Sequence, residues 1–573
     1  MRIIPYVVVL VIICTVLISC NGNRKDDPLL LDVEREPQAF LDDPVMLFGE
    51  DFDATFPESV YCEVDIGGAV QASESSSLSG NPVNTGSPGY WGSAVVTLMR
   101  DEDDANRPFK PVARWMSDDG SAELSDSFYV TGWEAGDPNN NIFYKHPKCA
   151  SLAYSYNSVD YVELAVTYQM RGLPAGDIED QIGPGWFNET NNDEWDIGLT
   201  ILTWEVADIP DPDDAVRQDF FIPEHANTDA SQMDDCDPDL AYDTFTGDLY
   251  IVYTDLNTPK AIHTAIPKYV YFDRLGNWSL DLVGLGANSW SDSYPRDIRA
   301  IGASHGGWDP SVAIGKVDLY ILGNWNTTLN PLIVISYTAQ FEGQTGYHVN
   351  LSTWPLGSYS SRSDIPIRHP NENFTDLDAG LSTVAITPNS SPRKYGALVF
   401  TQITGEDQYG PTLTCFYVDL FNIGRLGIEA SFLELTTTNY ADNLYPSIVL
   451  HKAYDVTYPT ADYTSNVIWM AQDAEMDALH PTTSKITTTV TWDTSFPFSL
   501  SSAGDLSYTV TQYDTEEYTI WGNFNPAQIP FIDPGMSTSI RNTANNNYWA
   551  GWCNRIEMEP PAEVVWGTFG VSD

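Results

Sequence analysis

The chain has 573 residues, of which 80 are acidic and 27 are basic, so its formal net charge at pH 7 is -53. A surface with that charge repels phosphates, which excludes nucleic acid as a partner. Aromatic residues make up 12% of the chain, and 40 glycines and 37 prolines separate its short apolar runs. This composition is typical of many short strands. We therefore expect an all-β protein, with one short helix around Ala471–Leu479.

The first segment has the character of an export signal. Met1-Arg2 precedes an apolar run from Ile3 to Ile18, which is short for a membrane span and lies close to a cleavage point. The run ends in Leu17-Ile18-Ser19-Cys20, which resembles the lipobox of bacterial lipoproteins. That resemblance implies removal of residues 1–19 and acylation of Cys20, with palmitate-type chains that anchor the protein in a membrane. The alternatives are an ordinary secretory peptide or a retained anchor helix.

The residues after Cys20 predict a flexible tether and a location in the cell envelope. Residues 20–40 are polar and charged, as in a flexible linker. Asn21 stands where lipoproteins retained in the inner membrane carry Asp, and Lys25-Asp26-Asp27 is similar to the surface-export signal of Bacteroidetes lipoproteins. The resemblance implies a bacterial cell-envelope protein in the outer membrane, exposed at the cell surface.

The rest of the chain contains a repeated unit. In each copy an apolar anchor follows a small polar residue, often with Pro before it, and a run rich in Val, Ile, Tyr and Trp comes next, as in Cys236-Asp-Pro-Asp-Leu240 followed by Leu249–Thr254. The anchors are Val60, Leu152, Leu240, Val312, Val384, Ile448 and Ile529. The second runs are Ala94–Leu98, Val162–Thr167, Leu249–Thr254, Leu332–Thr338, Ala397–Thr401, Asn466–Met470 and Tyr548–Trp552.

Units of this length with about four strands each predict a single β-propeller over residues 41–573, with seven four-stranded blades rather than six or eight. A chain of β-sandwich domains is the alternative, but linkers between the units are missing. The last unit is one strand short, and an orphan apolar run, Val45–Phe48, precedes the first. We expect this run to pair with the last strand, Val564–Phe569, and so close the ring.

The cysteines outside the signal allow two disulfides. Cys62 and Cys553 belong to the first and last units, which are neighbours in a closed ring. Cys149 and Cys236 precede anchors of adjacent units. Both pairs are permitted outside the cytoplasm, and five buried thiols are the alternative.

Two sets of residues predict a site on the face where the chain enters the first strands. Four of the eight histidines precede anchors, namely His146, His225, His305 and His369. Converging histidines could hold a transition metal or act as acid and base on a sugar. Their placement is similar to that in seven-bladed polysaccharide lyases, and scattered structural histidines are the alternative. The acidic residues Asp237, Asp239 and Asp309 crowd two of the same entrances and could hold Ca²⁺, unless they are simply solvated.

One motif is similar to part of the Asp-box of sialidase-like (BNR) propellers. Ser117-Asp-Asp119-Gly-Ser matches the start of that turn, but the trailing Thr-Trp is absent and no other unit repeats it. The resemblance implies a fold and no activity. Two functions remain open: a non-catalytic surface propeller that binds a glycan or protein partner, and an extracellular polysaccharide lyase or glycoside hydrolase with its site on the entry face.

Overall fold

In the computed structural model, the described part of the chain is built almost entirely from β-strands. The structure describes the strands given below and, outside them, residues 130–132, 142, 157–158, 195, 214–215, 243, 246–248, 274, 298 and 362. Side chains are described mainly between Ala94 and Asp364. The signal peptide, Cys20, Cys62, His225, His369 and the Asp-box-like segment at 117–121 lie outside the described residues. No helix in the described part has the length and apolar character that crossing a bilayer requires.

The first sheet has nine strands and consists of two antiparallel halves. One half is β3 (Val64–Gln71), β5 (Ser93–Met99), β6 (Lys110–Met116) and β7 (Phe128–Tyr129). The other is β8 (Phe143–Tyr156), β9 (Val159–Arg171), β10 (Asp196–Glu205) and β11 (Val216–Ile222), and β4 (Val83–Asn84) pairs with β8. The halves are joined where β3 runs parallel to β8, with Ala69 opposite Ser151. Their open edges thus satisfy each other's backbone groups.

Three sheets of the same antiparallel kind follow along the chain. The next sheet is β12 (Asp234–Tyr242), β13 (Leu249–Leu256), β14 (Ala265–Asp273) and β15 (Asp281–Leu282), with β16 (Arg296–Asp297) also on β14. It is followed by β17 (Ala303–Ile321), β18 (Asn324–Phe341), β19 (His348–Pro355) and β20 (Ser363–Pro366). Then come β21 (Asp376–Ile386), β22 (Tyr395–Asp407), β23 (Gly410–Asp419) and β24 (Ser431–Leu435).

The last two sheets bring the ends of the chain together. One contains β25 (Asn443–Leu450), β27 (Thr460–Asp473), β28 (Ala478–Trp492) and β29 (Leu506–Asp514), with β26 (Asp455–Thr457) on β27. The other contains β30 (Thr538–Asn542), β31 (Tyr548–Arg555) and β32 (Ala562–Val571), with β1 (Ala39–Leu41) and β2 (Val45–Met46) both on β32. Val45 lies opposite Trp566 and Met46 opposite Val565. The predicted pairing of the run at 45–48 with the C-terminal strand is therefore present for Val45 and Met46, and residues 47 and 48 lie outside the described residues.

The first strands of these units contact one another in a closed order. Each contacts the first strand of the next unit, in the sequence β3, β8, β12, β17, β21, β25, β30 and β3 again. The sheets also pack face to face. Strand β13 shows this, since its side chains alternate between two hydrophobic cores on opposite faces of its sheet. Leu249 and Ile251 lie in the core shared with β8–β11, whereas Tyr250 and Val252 lie in the core shared with β17–β19. Burial on both faces explains the nearly continuous apolar runs.

The second runs of all seven units are in strands, whereas two other predictions need correction. The helix around Ala471–Leu479 is wrong: β27 and β28 extend into that segment and pair Ala471 with His480 and Gln472 with Leu479. Cross-strand pairing overrides the helix propensity of its Ala, Glu and Met residues. The first strands described in the first and last units are β3 and β30, and the anchors Val60 and Ile529 lie outside the described residues. Residues 39 and 40, assigned to the tether, are in β1.

Candidate functional site

Four of the first strands contain the same β-bulge. In β8, β12, β17 and β25 the pairing with the second strand skips two residues, and the second of the two is always proline. The skipped pairs are His146-Pro147, Asp237-Pro238, Asp309-Pro310 and Tyr445-Pro446. Proline has no N–H to give to the ladder, so a bulge is where a paired strand accepts it. The bulges therefore bring His146, Asp237, Asp309 and Tyr445 to one register position of four first strands.

The position of the bulge shows that one predicted anchor, Leu152, is not equivalent to the others. Leu240, Val312 and Ile448 each stand two residues after the bulge proline, and the residue in that place in β8 is Cys149 rather than Leu152. Cys149 and Leu152 are both buried, so burial alone could not tell them apart. The bulge backbone is also unusual. His146 has φ of 50° and Asp237 has φ of 51°, a left-handed conformation that side-chain-bearing residues adopt at a cost.

The structure describes two of the four candidate histidines. His146 lies half-buried in the bulge of β8. His305 lies near the start of β17, opposite Gln340. Both are thus within first strands rather than in the loops before them, because β8 and β17 begin earlier than their apolar anchors indicate. His225 and His369 lie outside the described residues, so the gathering of all four remains a prediction.

The candidate calcium ligands have different surroundings. Asp237 and Asp309 are bulge residues, whereas Asp239 is buried and faces the next sheet. Its Oδ2 accepts hydrogen bonds from the Ser311 hydroxyl at 2.8 Å and from the backbone N–H of Val312 at 2.9 Å. Among the side chains that the structure describes, no group of three or more His, Cys, Asp or Glu could hold a metal ion. The described geometry therefore gives Asp239 a role between sheets, and a calcium site stays a prediction.

The cysteines contribute little to a described site. Cys149 is buried and Cys236 is half-buried just before the bulge of β12, and the disulfide between them stays a prediction. Cys553 lies in β31 opposite Val564. Its predicted partner Cys62 is among the residues not described, so that pairing also stays a prediction.

A cluster of aromatic and basic side chains lies at the end of the sheet where the chain enters β8. We call it the basic–aromatic cluster; its residues are Phe143, Lys145, Arg171 and Trp195. The strand register brings them together, because Arg171 at the end of β9 lies opposite Phe143 at the start of β8. Trp195 immediately precedes β10, whose first residue pairs with Met170. The cluster is adjacent to the bulge at His146.

Both cations of the cluster lie against rings. The Lys145 Nζ is 4.1 Å from the centroid of the Trp195 ring, and the Arg171 Cζ is 5.2 Å from the same centroid. Arg171 is also 5.0 Å from the Phe143 ring. Phe143 is one of the few large apolar residues that the structure shows exposed, at 39%. An attraction between a cation and a ring face holds such side chains in place without neutralising them.

Three basic residues elsewhere in the described part, Lys268, Arg274 and Arg362, pair with carboxylates. Arg274 donates to Glu163 across 2.8 Å, and Arg362 donates to Asp364 across 3.2 Å. Of the residues that the structure describes, none forms an ion pair with Lys145, Lys148 or Arg171. Three basic residues therefore lie near the entry to β8 without a carboxylate partner among the described residues. The sequence could have shown this, since Lys145, His146 and Lys148 flank one bulge proline.

A second polar network, centred on Glu163, is closed to ligands. The Arg274 and Glu163 side chains are each only 1% exposed, and the Tyr242 hydroxyl donates to the same Glu163 oxygen at 2.6 Å. Burial, followed by the charge of Glu163, raises the pKa of Tyr242 far above its ordinary value. The Arg274 guanidinium also lies 4.5 Å from the Tyr154 ring. This network joins β8–β10 to β12–β14 and has a structural role.

Comparison with known proteins gives only distant likenesses. No family model matches the chain, and no curated protein does. Among solved structures, the endo-arabinase from Bacteroides thetaiotaomicron VPI-5482 aligns at 10% identity with a TM-score of 0.27, covering 59% of this chain and 94% of that one. The GH43 endo-arabinanase from Bacillus licheniformis aligns at 11% identity with a TM-score of 0.24, covering 58% and 92%. Likenesses this low carry no conclusion about activity.

Proposed function

We propose that the chain is a bacterial envelope lipoprotein with a single seven-bladed β-propeller. Its signal peptide ends at Ser19, Cys20 carries the lipid, residues up to 38 form the tether, and the outer membrane surface is its location. Seven first strands in a closed contact order support the blade count. In this arrangement the nine-stranded sheet contains two blades, and β1 and β2 complete the last one.

We propose further that the propeller binds a glycan, without catalysis, at the basic–aromatic cluster. The observation that carries this proposal is the exposed Phe143 ring beside Arg171 and Lys145 at the entry to a first strand. A flat ring packs against the apolar face of a sugar, and the neighbouring cations donate hydrogen bonds to its oxygens. In a propeller the entry ends of the first strands open onto one face, where side chains from several blades can contact a polysaccharide.

A second candidate is a polysaccharide lyase or glycoside hydrolase with its site on the same face. One observation favours it: His146 and Asp237 occupy equivalent bulges of neighbouring first strands, both with left-handed backbone. Strained backbone of this kind concentrates at functional sites, and an imidazole near a carboxylate can act in acid–base catalysis. The His146→Ala variant addresses this candidate directly.

The test uses residues 21–573 produced without the lipid. Binding to a panel of neutral and acidic polysaccharides is measured by affinity electrophoresis, and release of reducing or unsaturated ends is measured in parallel, with and without Ca²⁺. We expect retardation on at least one polymer, with no product, and loss of retardation in Phe143→Ala. Tyr129→Ala is the matched control, because Tyr129 is also 39% exposed and lies 5.5 Å from Lys110 Nζ. Product release that disappears in His146→Ala would instead establish the enzyme.

A further inference from the structure

We infer that the glycan is anionic, with its carboxylate or sulfate groups held by Lys145 and Arg171. This inference rests on the proposed function, since it names the class of ligand for the same cluster. It depends on three observations. The first is how aromatic rings hold the two cations, and the second is that no described carboxylate pairs with them. The third is the distance between them that the strand register sets.

The rings fix the two cations but leave their donors available. Lys145 Nζ and Arg171 Cζ lie 4.1 Å and 5.2 Å from the centroid of the same Trp195 ring. A ring face offers a negative quadrupole and no acceptor oxygen, so it orients an ammonium or guanidinium without using up its N–H groups. Arginine presents those groups as a planar fork that matches a carboxylate or sulfate. The cluster is therefore organised before any ligand arrives.

The charges of the described residues around the cluster favour an anionic ligand. The chain has 80 acidic residues for 27 basic ones, so a carboxylate partner is easy to supply, and the buried Lys268 and Arg274 each have one. Among the described residues, Lys145 and Arg171 form no ion pair. A neutral glycan would accept hydrogen bonds from the two cations, whereas an acidic glycan would also gain the attraction between opposite charges. An acidic glycan would be attracted here and repelled by the rest of the surface, which confines it to the cluster.

The register sets the spacing of the two charges. Lys145 lies opposite Gln169, and Arg171 is two residues further along the same strand. Diagonal neighbours of this kind are about 7 Å apart across an antiparallel pair. Both side chains can therefore reach one acidic group, or acidic groups on successive sugars, while the exposed Phe143 ring packs against a sugar face.

The experiment compares pairs of polymers with the same sugar backbone, one with free acidic groups and one without. Residues 21–573 are tested against polygalacturonate and its fully methyl-esterified form, and against dextran sulfate and dextran, at low and at physiological salt. We expect the acidic member of at least one pair to bind about tenfold or more tightly than its neutral partner, with an advantage that shrinks as salt rises. Lys145→Met and Arg171→Met should each remove most of that advantage, and Lys110→Met, next to Tyr129, should leave it intact.

The outcomes separate this inference from the proposed function. Equal binding of the charged and neutral members of both pairs, lost in Phe143→Ala, would overturn the anionic ligand while the glycan-binding proposal stands. Binding to none of the four polymers, and to no other polysaccharide of the panel, would overturn both. Acidic binding that survives Arg171→Met and Lys145→Met together would place the anion elsewhere and also contradict the inference.

Discussion

The carboxylate of Asp239 in β12 accepts the backbone N–H of Val312 in β17 at 2.9 Å. Val312 is an anchor of the next unit, so one side chain joins the first strands of two neighbouring sheets. The same oxygen accepts the Ser311 hydroxyl at 2.8 Å. Hydrogen bonds to a charged group contribute more than neutral ones, and Asp239 is only 8% exposed. This contact therefore supports the packing of one sheet against the next.

Replacing Asp239 with Ala should lower the free energy of unfolding by about 2–3 kcal/mol, because the buried N–H of Val312 loses its acceptor. Ser311→Ala removes only one of the two donors and should cost about 1 kcal/mol. Urea denaturation monitored by tryptophan fluorescence measures both. If Asp239→Ala lowers the free energy of unfolding by less than about 0.5 kcal/mol, the contact contributes little to stability.

The buried pair of Glu163 and Arg274 predicts a strong asymmetry. Arg274→Met alone leaves the Glu163 carboxylate buried without its cation and should cost about 3–5 kcal/mol. The double variant with Glu163→Leu removes both charges and should recover part of that loss, since an apolar pair has no desolvation penalty. Thermal and urea unfolding of both single variants and the double variant measure the coupling. Simple additivity of the two losses would contradict the arrangement.

Gly247 is needed for the same network. It has φ of 75°, and a Cβ there would come within 2.7 Å of the Arg274 Nε. Gly247→Ala should therefore destabilise the protein by about 2 kcal/mol, from the left-handed backbone and from displacement of Arg274. The matched measurement is Gly247→Ala in an Arg274→Ala background, which lacks the Cδ and Nε that a Cβ at 247 would meet. There the clash is gone, and a smaller loss of about 1 kcal/mol, for the backbone alone, is expected.

Asp248 gives a pH dependence whose sign can be worked out. Burial raises the pKa of its carboxyl to about 6, against partial opposition from the backbone N–H of Arg274. The folded protein thus holds this proton more tightly than the unfolded chain, whose aspartates titrate near pH 4. The stabilising contribution is complete below about pH 4 and is lost as the pH rises through 6.

Asp248→Asn tests this contribution, since the amide oxygen can still accept the Arg274 N–H. Relative to the variant, the unmodified protein should lose about 2 kcal/mol of stability between pH 4 and pH 7. Urea unfolding of both proteins across this range gives the difference, which cancels the titration of the other carboxylates. A constant difference at every pH would show that Asp248 titrates normally in the folded state.

The N-terminal strands are needed to cover the edge of β32. A chain that begins at Asp51 lacks β1 and β2, so the backbone groups of β32 opposite Val45 and Ala39 lose their partners. An open edge promotes association with other chains. We expect lower thermal stability and concentration-dependent aggregation, measured by light scattering, compared with a chain that begins at Asn21. A monodisperse monomer of equal stability would show that the strands are dispensable.

The sequence predicted which strands form better than it predicted where they begin and end. Runs such as Leu249–Thr254 are apolar on both faces because each lies between two packed sheets, so composition alone identified them. The predicted helix near Ala471 was wrong because its residues favour helix locally, whereas β27 and β28 pair them across a hairpin. Local propensity carries no information about a partner strand.

Less of the candidate site could be predicted. His146 and Asp237 were singled out for their chemistry, and the bulge that holds them was visible only as a repeated proline. The basic–aromatic cluster was missed because Arg171 and Trp195 are unremarkable in sequence. They meet Lys145 only through the register of β8, β9 and β10, and register depends on pairing that no single segment encodes.

The pairing of β2 with β32 also determines when the fold can be completed during synthesis. Met46 cannot meet Val565 until almost the whole polypeptide has been made, and contacts between such distant residues form late and slowly. Strands β1 and β2 therefore stay unpaired until β32 has been made. A ribosome that stops short of the final strand leaves a product whose two ends are both exposed, and such a product is open to proteases until it is cleared.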